Sequence, residues 1–587
     1  MRRAAFPLET FALPSLRLRA RTWVLYALVL AGLLVPRLPA LDRFVTVDEA
    51  TWVMRAGNFY YALAQREFEN TFTAYHPAVT TMWAGALATW IEFPEYRGQG
   101  QGYFIKEWKF ADFLAEYGHH PLEILETARL IIVIANSLLG LAVFHLARRL
   151  FGGWAALVLL ALLAFDPLLL GHSRILAHEG MMSLLLVVSI FALLVVLEKK
   201  GGRFWLPVSA VAAALAVLTK SSATIVLAFA AVVLFWGAFF READGLRSLR
   251  CAERWRRWAG DYLLWLAVFS LTFVVVWPGM WVAPGKMLSQ VYGNALSYAV
   301  TGNNLKALQV TTGPAITPSS NGIRTYLLSF LWRSTPAVWA GLVLVPAALF
   351  SRAAREQAAL KRTLAVFFAF GAVFLLVMGL AGGRKSAHYI AFTYASVDVA
   401  VGAAALLVFH RLQARGRRSA LVLYSLVTLG LLGVHILSAA RFYPYYFNYQ
   451  NPIMARMNWA PEFQPRGYGE VIEQAAQYLS EKPEAQKLKV LSWYGIGPFS
   501  YFFPGQTMLI PPTETWSPSL VSRLQRADYL VLYYAHQQRR NMPAKLLRDI
   551  QQAIPEKTIW LNGIEYIRIY RVQDLPAEVF VPEGAGE

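Results

Sequence analysis

The chain has 587 residues, of which 57% are hydrophobic and 16% charged, and its mean hydropathy is +0.41. A soluble chain of this length needs far more charge to cover its surface, so the class is a polytopic α-helical membrane protein. The net charge of +19 lies in short basic blocks between apolar runs, which argues against nucleic acid as a partner. The single cysteine, Cys251, excludes an internal disulfide and a cysteine-based metal site.

The N-terminus carries Arg2, Arg3, Arg17, Arg19 and Arg21 before an apolar run to Leu41. The run is long and no small-residue cleavage site follows it, so it reads as a retained anchor rather than a signal peptide. Apolar periodicity and length then predict eleven spans, at 22–41, 128–147, 154–171, 180–197, 204–219, 222–240, 261–278, 335–350, 363–381, 387–409 and 419–440. The connections on the side of the N-terminus hold twenty-four Lys and Arg residues in short stretches, and those on the other side are much poorer. This bias predicts a multi-pass protein of the cell (plasma) membrane with a cytoplasmic N-terminus and an extracytoplasmic tail. The expected organisation is a membrane domain at 1–441 and an exoplasmic domain at 442–587.

Three pieces are expected on the outer side. The first, 42–127, holds twelve carboxylates against six basic residues, and its segments 48–64 and 77–91 have the helical spacing of interfacial helices. The second, 279–334, is rich in Asn, Thr, Gly and Pro and reads as a loop. The third is the tail, of ordinary soluble composition. There Glu470–Ser480 and 544–553 read as helices, Lys489–Trp493 and Asp528–Tyr534 as strands, and 558–571 as a hairpin around Asn562–Gly563. Alternating helices and strands predict a small α/β domain.

Charges at outward span ends are costly near lipid and usually face a cavity. Asp48 and Glu49 directly follow the first span; such a pair can take a proton from an attacking hydroxyl or hold a divalent metal, while helix capping is the plainer use of Asp48. His76, in Tyr75-His76-Pro77, opens the second interfacial helix. His172, Ser173, Arg174, His178 and Glu179 cluster between two spans, with helical spacing setting Arg174 and His178 on one face and Glu179 beside them; a neutral structural cluster is the alternative. Lys220 is a lone cation among three hydroxyls, suited to a phosphate or simply snorkelling. Arg384 and Lys385, with His388 and Tyr389, form a second outward basic cluster that a bound anion would explain. The aromatic run Tyr443–Tyr449 offers either a sugar platform or an interfacial belt. No P-loop, Gly-rich dinucleotide turn or HExxH motif is present.

These positions carry a resemblance. In chain order, Asp48-Glu49, Tyr75-His76-Pro77, Ser173-Arg174 with Glu179, Leu218-Thr219-Lys220, Trp277-Pro278-Gly279-Met280-Trp281, and Arg384-Lys385 before Tyr389 resemble the GT-C membrane glycosyltransferases. The likeness is to their protein O-mannosyltransferase and aminoarabinose-transferase group. It implies inverting transfer of a sugar from a polyprenyl-phosphate carrier to a protein, lipid or glycan acceptor on the outer face. It also implies Asp48 as the base with Glu49 beside it, and Arg174, Lys220, Arg384 and Lys385 near the donor phosphate. His76, His178, Glu179, His388 and Tyr389 are the further substrate-binding candidates. Two departures stand out: His76-Pro77 is followed by Ala78 where the family often has a second proline, and His178-Glu179 replaces a common Asp. A transporter or flippase for a lipid-linked anion would use the same basic cavity without a base. A membrane scaffold presenting the tail is the non-enzymatic alternative.

Overall fold

The structure, a computed structural model, describes residues 16–74, 76–99, 102–198, 200, 202–240, 249–301, 322–350, 357–383, 385–456, 467–511, 513–534 and 542–584. Tyr75 and Arg384 of the motifs above lie outside the described residues. Among the described residues, seven helices are long and apolar enough to cross a bilayer, or eight if the pair Gly322–Arg333 and Pro336–Phe350, bent by 119°, forms one span. Three shorter apolar helices, Thr22–Leu34, Gly153–Phe165 and Trp205–Thr219, occupy the remaining segments read as spans. The protein is a multi-pass membrane protein.

Local chemistry sets the helix ends. Pro121–Phe151 starts with proline in its first turn and a reciprocal capping box between His120 and Glu123, and it stops at Gly152 with φ +88°. The Asp166 carboxylate caps Pro167–His172 by accepting from the Leu169 N–H at 3.0 Å. Between His172 and Glu179 the chain is not helical. The first large loop folds into helices Glu49–Ala64, Val79–Glu92 and Glu107–Glu116; the first two pack on each other closely enough that a Cβ at Gly85 would lie 2.4 Å from that of Ala56.

The segment 279–334, expected as a loop, contains Gly279–Val282, Pro284–Thr301 and Gly322–Arg333 as helices. Gly279, Pro284 and Gly322 stand at the starts of these helices, where they punctuate rather than prevent helix.

The tail forms a five-stranded sheet of order β2-β1-β3-β5-β4, with β1 at Lys489–Trp493, β2 at Gln506–Ile510, β3 at Tyr529–Tyr533, β4 at Lys557–Leu561 and β5 at Ile564–Arg571. β1 pairs in parallel with β2 and β3; β5 runs antiparallel to β3 and β4. Asn562 and Gly563 make the hairpin turn with φ of +52° and +75°, the positive values such a two-residue turn requires. Helices Ile472–Ser480, Pro518–Gln525 and Ala544–Asp549 cover the sheet. β2 and Pro518–Gln525 were not anticipated from the sequence.

The tail is docked on the membrane part through polar contacts and close backbone packing. The Val47 N–H donates to the Tyr468 carbonyl at 3.2 Å, and a Cβ at Gly497 would stand 2.6 Å from that of Ala50; within the tail, Tyr566 Oη donates to Asn448 Oδ1 at 2.5 Å and Tyr445 to the Glu473 carboxylate. The aromatic run serves this docking: Tyr445, Tyr446, Phe447 and Tyr449 are buried, and Tyr446 Oη donates to the Pro36 carbonyl at 2.8 Å. Four of its five rings are packing elements, while Tyr443 is exposed beside Arg174.

Candidate active site

The two neighbouring carboxylates have opposite fates. Asp48 sits at the N-cap position of Glu49–Ala64, yet its side chain makes no capping hydrogen bond. It is exposed, and its Oδ2 accepts from Tyr468 Oη at 2.5 Å. Glu49 begins the helix and is fully buried. Its Oε1 accepts from Arg129 Nε at 2.7 Å and from the Leu176 N–H at 2.9 Å, its Oε2 accepts from the Thr46 N–H at 2.9 Å, and Arg129 Nη2 also donates to it. Burial pushes its carboxyl up, but the Arg129 guanidinium and the two N–H groups outweigh that and hold it below the ordinary range. The structure thus sets the two expected acids in different surroundings, Asp48 exposed and bonded to Tyr468, Glu49 buried and locked by Arg129. A solitary arginine inside a predicted span, Arg129, was the signal for the lock.

Glu179 anchors a second buried cluster. Lys220 Nζ donates to its Oε1 at 2.6 Å, and His172 Nδ1 lies 3.8 Å from its Oε2. The Lys220 ammonium stands 4.8 Å from the Tyr389 ring centroid, so it neither snorkels nor stands alone. His388 bonds Ser386 Oγ through Nδ1 at 2.9 Å and lies 5.9 Å from the His172 ring and 4.3 Å from the Tyr389 ring. His178 bonds Thr81 Oγ1 at 2.8 Å, packs edge-on against Trp52 and stands 6.1 Å from the His76 ring. His76 is held well below its usual pKa by burial first and by Lys220 next, so it is neutral at physiological pH.

Two of the expected phosphate-binding cations are directed elsewhere. Because residues 173–178 turn instead of continuing a helix, Arg174 leaves His178 and Glu179. Its Nη2 donates to the carbonyls of Pro39 and Ala40, while its Nη1 is buried without a hydrogen-bond partner. Lys385 donates to the carbonyls of Met378 and Ala381, filling the unsatisfied end of helix Ala358–Leu380. Burial lowers its pKa.

Tyr468 joins the two clusters. Its ring lies 5.9 Å from His388, 6.4 Å from His172 and 5.5 Å from Phe447. Burial, then the charges of Asp48 and Glu179, push its hydroxyl well above the usual value, which keeps it protonated and a donor. Sequence reasoning missed it, because a tyrosine between two glycines in a soluble tail carries no chemical signature.

A groove of about 620 Å³ opens beside this site, lined by Trp83, Leu87, Trp90, Ile131 and Met181, with Thr80 and Arg97 as its polar members. Thr80 Oγ1 is hydrogen-bonded to Thr219 Oγ1 at 2.7 Å, so the groove's polar wall abuts the residue preceding Lys220. Among the described residues, no group of three or more His, Cys, Asp and Glu side chains comes together to hold a metal ion.

Residues 124–281 match the family described as dolichyl-phosphate-mannose-protein mannosyltransferase. This chain resembles the GT-C membrane glycosyltransferases. The matched stretch contains Arg129, His172, Arg174, His178, Glu179 and Lys220, and the Asp48 mouth and the tail lie outside it. Among solved structures, the chain is similar to ArnT from Cupriavidus metallidurans bound to undecaprenyl phosphate, at 12% identity and a TM-score of 0.45 over 94% of this chain and 98% of that one. It is also similar to the oligosaccharyltransferase of Archaeoglobus fulgidus in the apo form, at 12% identity and a TM-score of 0.41 over 86% of this chain and 69% of that one. The archaeal oligosaccharyltransferase AglB from the same organism, in complex with an inhibitory peptide and a dolichol-phosphate, is similar at 12% identity and a TM-score of 0.42, over 88% of this chain and 70% of that one. No curated protein matches.

Proposed function

We propose that the chain is a glycosyltransferase that moves a sugar from a polyprenyl-phosphate carrier to an acceptor hydroxyl or amine on the outer face of the membrane, by inverting single displacement. The observation that carries this reading is the state of Asp48: a carboxylate at a helix start that does no capping and is exposed at the mouth of a buried polar cluster. The family match over 124–281 supports the class of reaction.

In this reading the apolar groove receives the polyprenyl chain, whose hydrocarbon matches the wall of Trp83, Leu87 and Trp90. The carrier phosphate then meets the polar end at Thr80, Thr219 and Lys220. As the acceptor oxygen bonds to the sugar's anomeric carbon, that carbon's bond to the phosphate oxygen breaks. Asp48 takes the acceptor's proton, and the carrier leaves as the polyprenyl monophosphate. Lys220, held in place by Glu179, stabilises the charge growing on the leaving phosphate. Glu49 fixes the start of the helix that presents Asp48.

The test is turnover by the full-length protein in lipid nanodiscs, with a panel of undecaprenyl-phosphate sugars as donors and release of undecaprenyl phosphate as the readout. Asp48→Asn is expected to lose roughly three orders of magnitude in rate, in line with removal of a general base, while retaining donor binding. Turnover by this variant at the wild-type rate defeats the assignment of Asp48. Movement of the donor across vesicles without consumption favours a transporter instead.

A further inference from the structure

The tail domain carries no reaction of its own in the reading above. Its contact with the first loop is nevertheless made at the residue on which that reading depends. The strap at residues 467–470, within the tail and just before helix Ile472–Ser480, lies along residues 45–48. The Val47 N–H donates to the Tyr468 carbonyl at 3.2 Å, and Tyr468 Oη donates to Asp48 Oδ2 at 2.5 Å.

The approach is close enough to demand particular residues. Gly469 has φ +107°, and a Cβ there would fall 2.5 Å from the Val45 carbonyl oxygen. Gly467 has φ +83°, and a Cβ there would fall 2.4 Å from the Tyr533 ring. Only glycine fits both the conformation and the space at either position. From the tail side, Tyr533 at the end of β3 donates to the Glu470 carbonyl at 3.1 Å. The Glu470 carboxylate in turn accepts from the Tyr468 N–H. Farther along the same surface, Gly497, just after β1, packs on Ala50, two residues after Asp48. The carboxyl ends of two parallel strands, β1 and β3, therefore face the acidic mouth, the end at which open α/β sheets place their working loops.

We propose that Tyr468 is a positioning residue for the transfer, and that the tail domain is part of the active site because it delivers this side chain to Asp48. The inference rests on the reading of Asp48 as the base. A carboxylate at the exposed start of a helix has two rotatable bonds and no cap bond to hold it. A hydroxyl donated to Oδ2 fixes the carboxylate plane and directs the remaining oxygen. The same donor stabilises the ionised form over the protonated one, so the acid stays ready to accept a proton. The ring, close to His172 and His388, also walls the space between Asp48 and the Glu179 cluster. An acceptor entering that space meets a face built from both parts of the chain.

The experiment compares wild type, Asp48→Asn, Tyr468→Phe and Gly469→Ala as full-length proteins in nanodiscs, using the undecaprenyl-phosphate sugar that the wild type consumes fastest. Tyr468→Phe removes one oxygen and keeps the ring. It is expected to lower kcat about 10- to 100-fold, to leave the donor KM within about twofold, and to move the acidic limb of the rate profile to higher pH. Gly469→Ala is expected to reproduce the kcat loss by lifting the strap. If Tyr468→Phe keeps the wild-type rate and the wild-type acidic limb while Asp48→Asn is inactive, the positioning role is wrong and the base assignment stands. A fall in rate with an unmoved acidic limb reduces Tyr468 to packing and also overturns the proposal. If Asp48→Asn turns over normally, the base assignment fails and the inference falls with it.

Discussion

Helices Glu179–Leu197 and Arg418–Ala440 look alike as sequences, with mean hydropathies of 2.8 and 2.1 over their most apolar windows, yet 94% of the first window is buried inside the protein and 6% of the second. Hydropathy measures distaste for water, and a lipid tail satisfies that distaste as well as a neighbouring side chain does. What separates the two is at their ends. The inner helix begins with Glu179, which is paired with Lys220, whereas the outer one has no acidic residue in its first turn. A helix that carries a carboxylate to the membrane boundary needs protein around it, and the inner helix has been given that surrounding.

The contrast breaks or holds under one-methyl substitutions. Gly180→Ala places a Cβ 2.4 Å from the His172 carbonyl oxygen, backbone against backbone, whereas Gly430→Ala meets nothing within 4 Å. The first is expected to abolish turnover and most of the folded protein. The second is expected to leave thermal unfolding in detergent within a degree or two of wild type or slightly above it, since alanine favours helix. Equal behaviour of the two variants would erase the distinction between inner and outer helices.

A middle-sized effect tests the locked acid. Glu49→Gln strands the buried Arg129 guanidinium, and loss of one partner of a buried pair costs about 3–5 kcal/mol. The expected outcome is a large fall in Tm, unlike Asp48→Asn, which is expected to unfold near the wild-type temperature. Scanning calorimetry of the two variants side by side decides whether these adjacent acids have the separate duties assigned to them.

The smallest effect lies inside the tail, where Glu473 meets Tyr445. Burial raises the Glu473 carboxyl from 4.5 to about 8, against the opposing influence of the Tyr445 hydrogen bond. A carboxyl whose folded value is raised holds its proton in the folded state. Its contribution to stability is full below about pH 4.5 and is lost as pH rises through about 8. Unfolding midpoints of the whole protein are expected to drift down across that window, and Glu473→Gln, which mimics the protonated form, is expected to flatten the drift. A drift that persists unchanged in this variant assigns it to other groups.

Much of the fold was legible because it follows from local rules. Lys489–Trp493 was read to the residue, and the Asn562–Gly563 hairpin announced itself through its turn residues. β2 escaped because Gln506–Ile510 follows Pro504 and Gly505 and alternates weakly. At the site, the ordered motifs pointed to Asp48, Glu179 and Lys220, since charges beside apolar spans are conspicuous. The pairing of Lys220 with Glu179, the diversion of Arg174 to the Pro39 and Ala40 carbonyls, and the meeting of Asp48 with Tyr468 are long-range events. No local propensity encodes them, so only the assembled structure shows them.

The strap at residues 467–470 has a consequence for biosynthesis. A chain still being made can insert its apolar helices and expose Asp48 long before residue 468 leaves the ribosome. If the donor is already in the membrane, such an intermediate holds the proposed base without the hydroxyl proposed to orient it. Under the role proposed for Tyr468, full activity then waits until the last quarter of the chain has folded and come back to touch the first loop, so that folding of the tail itself acts as the switch.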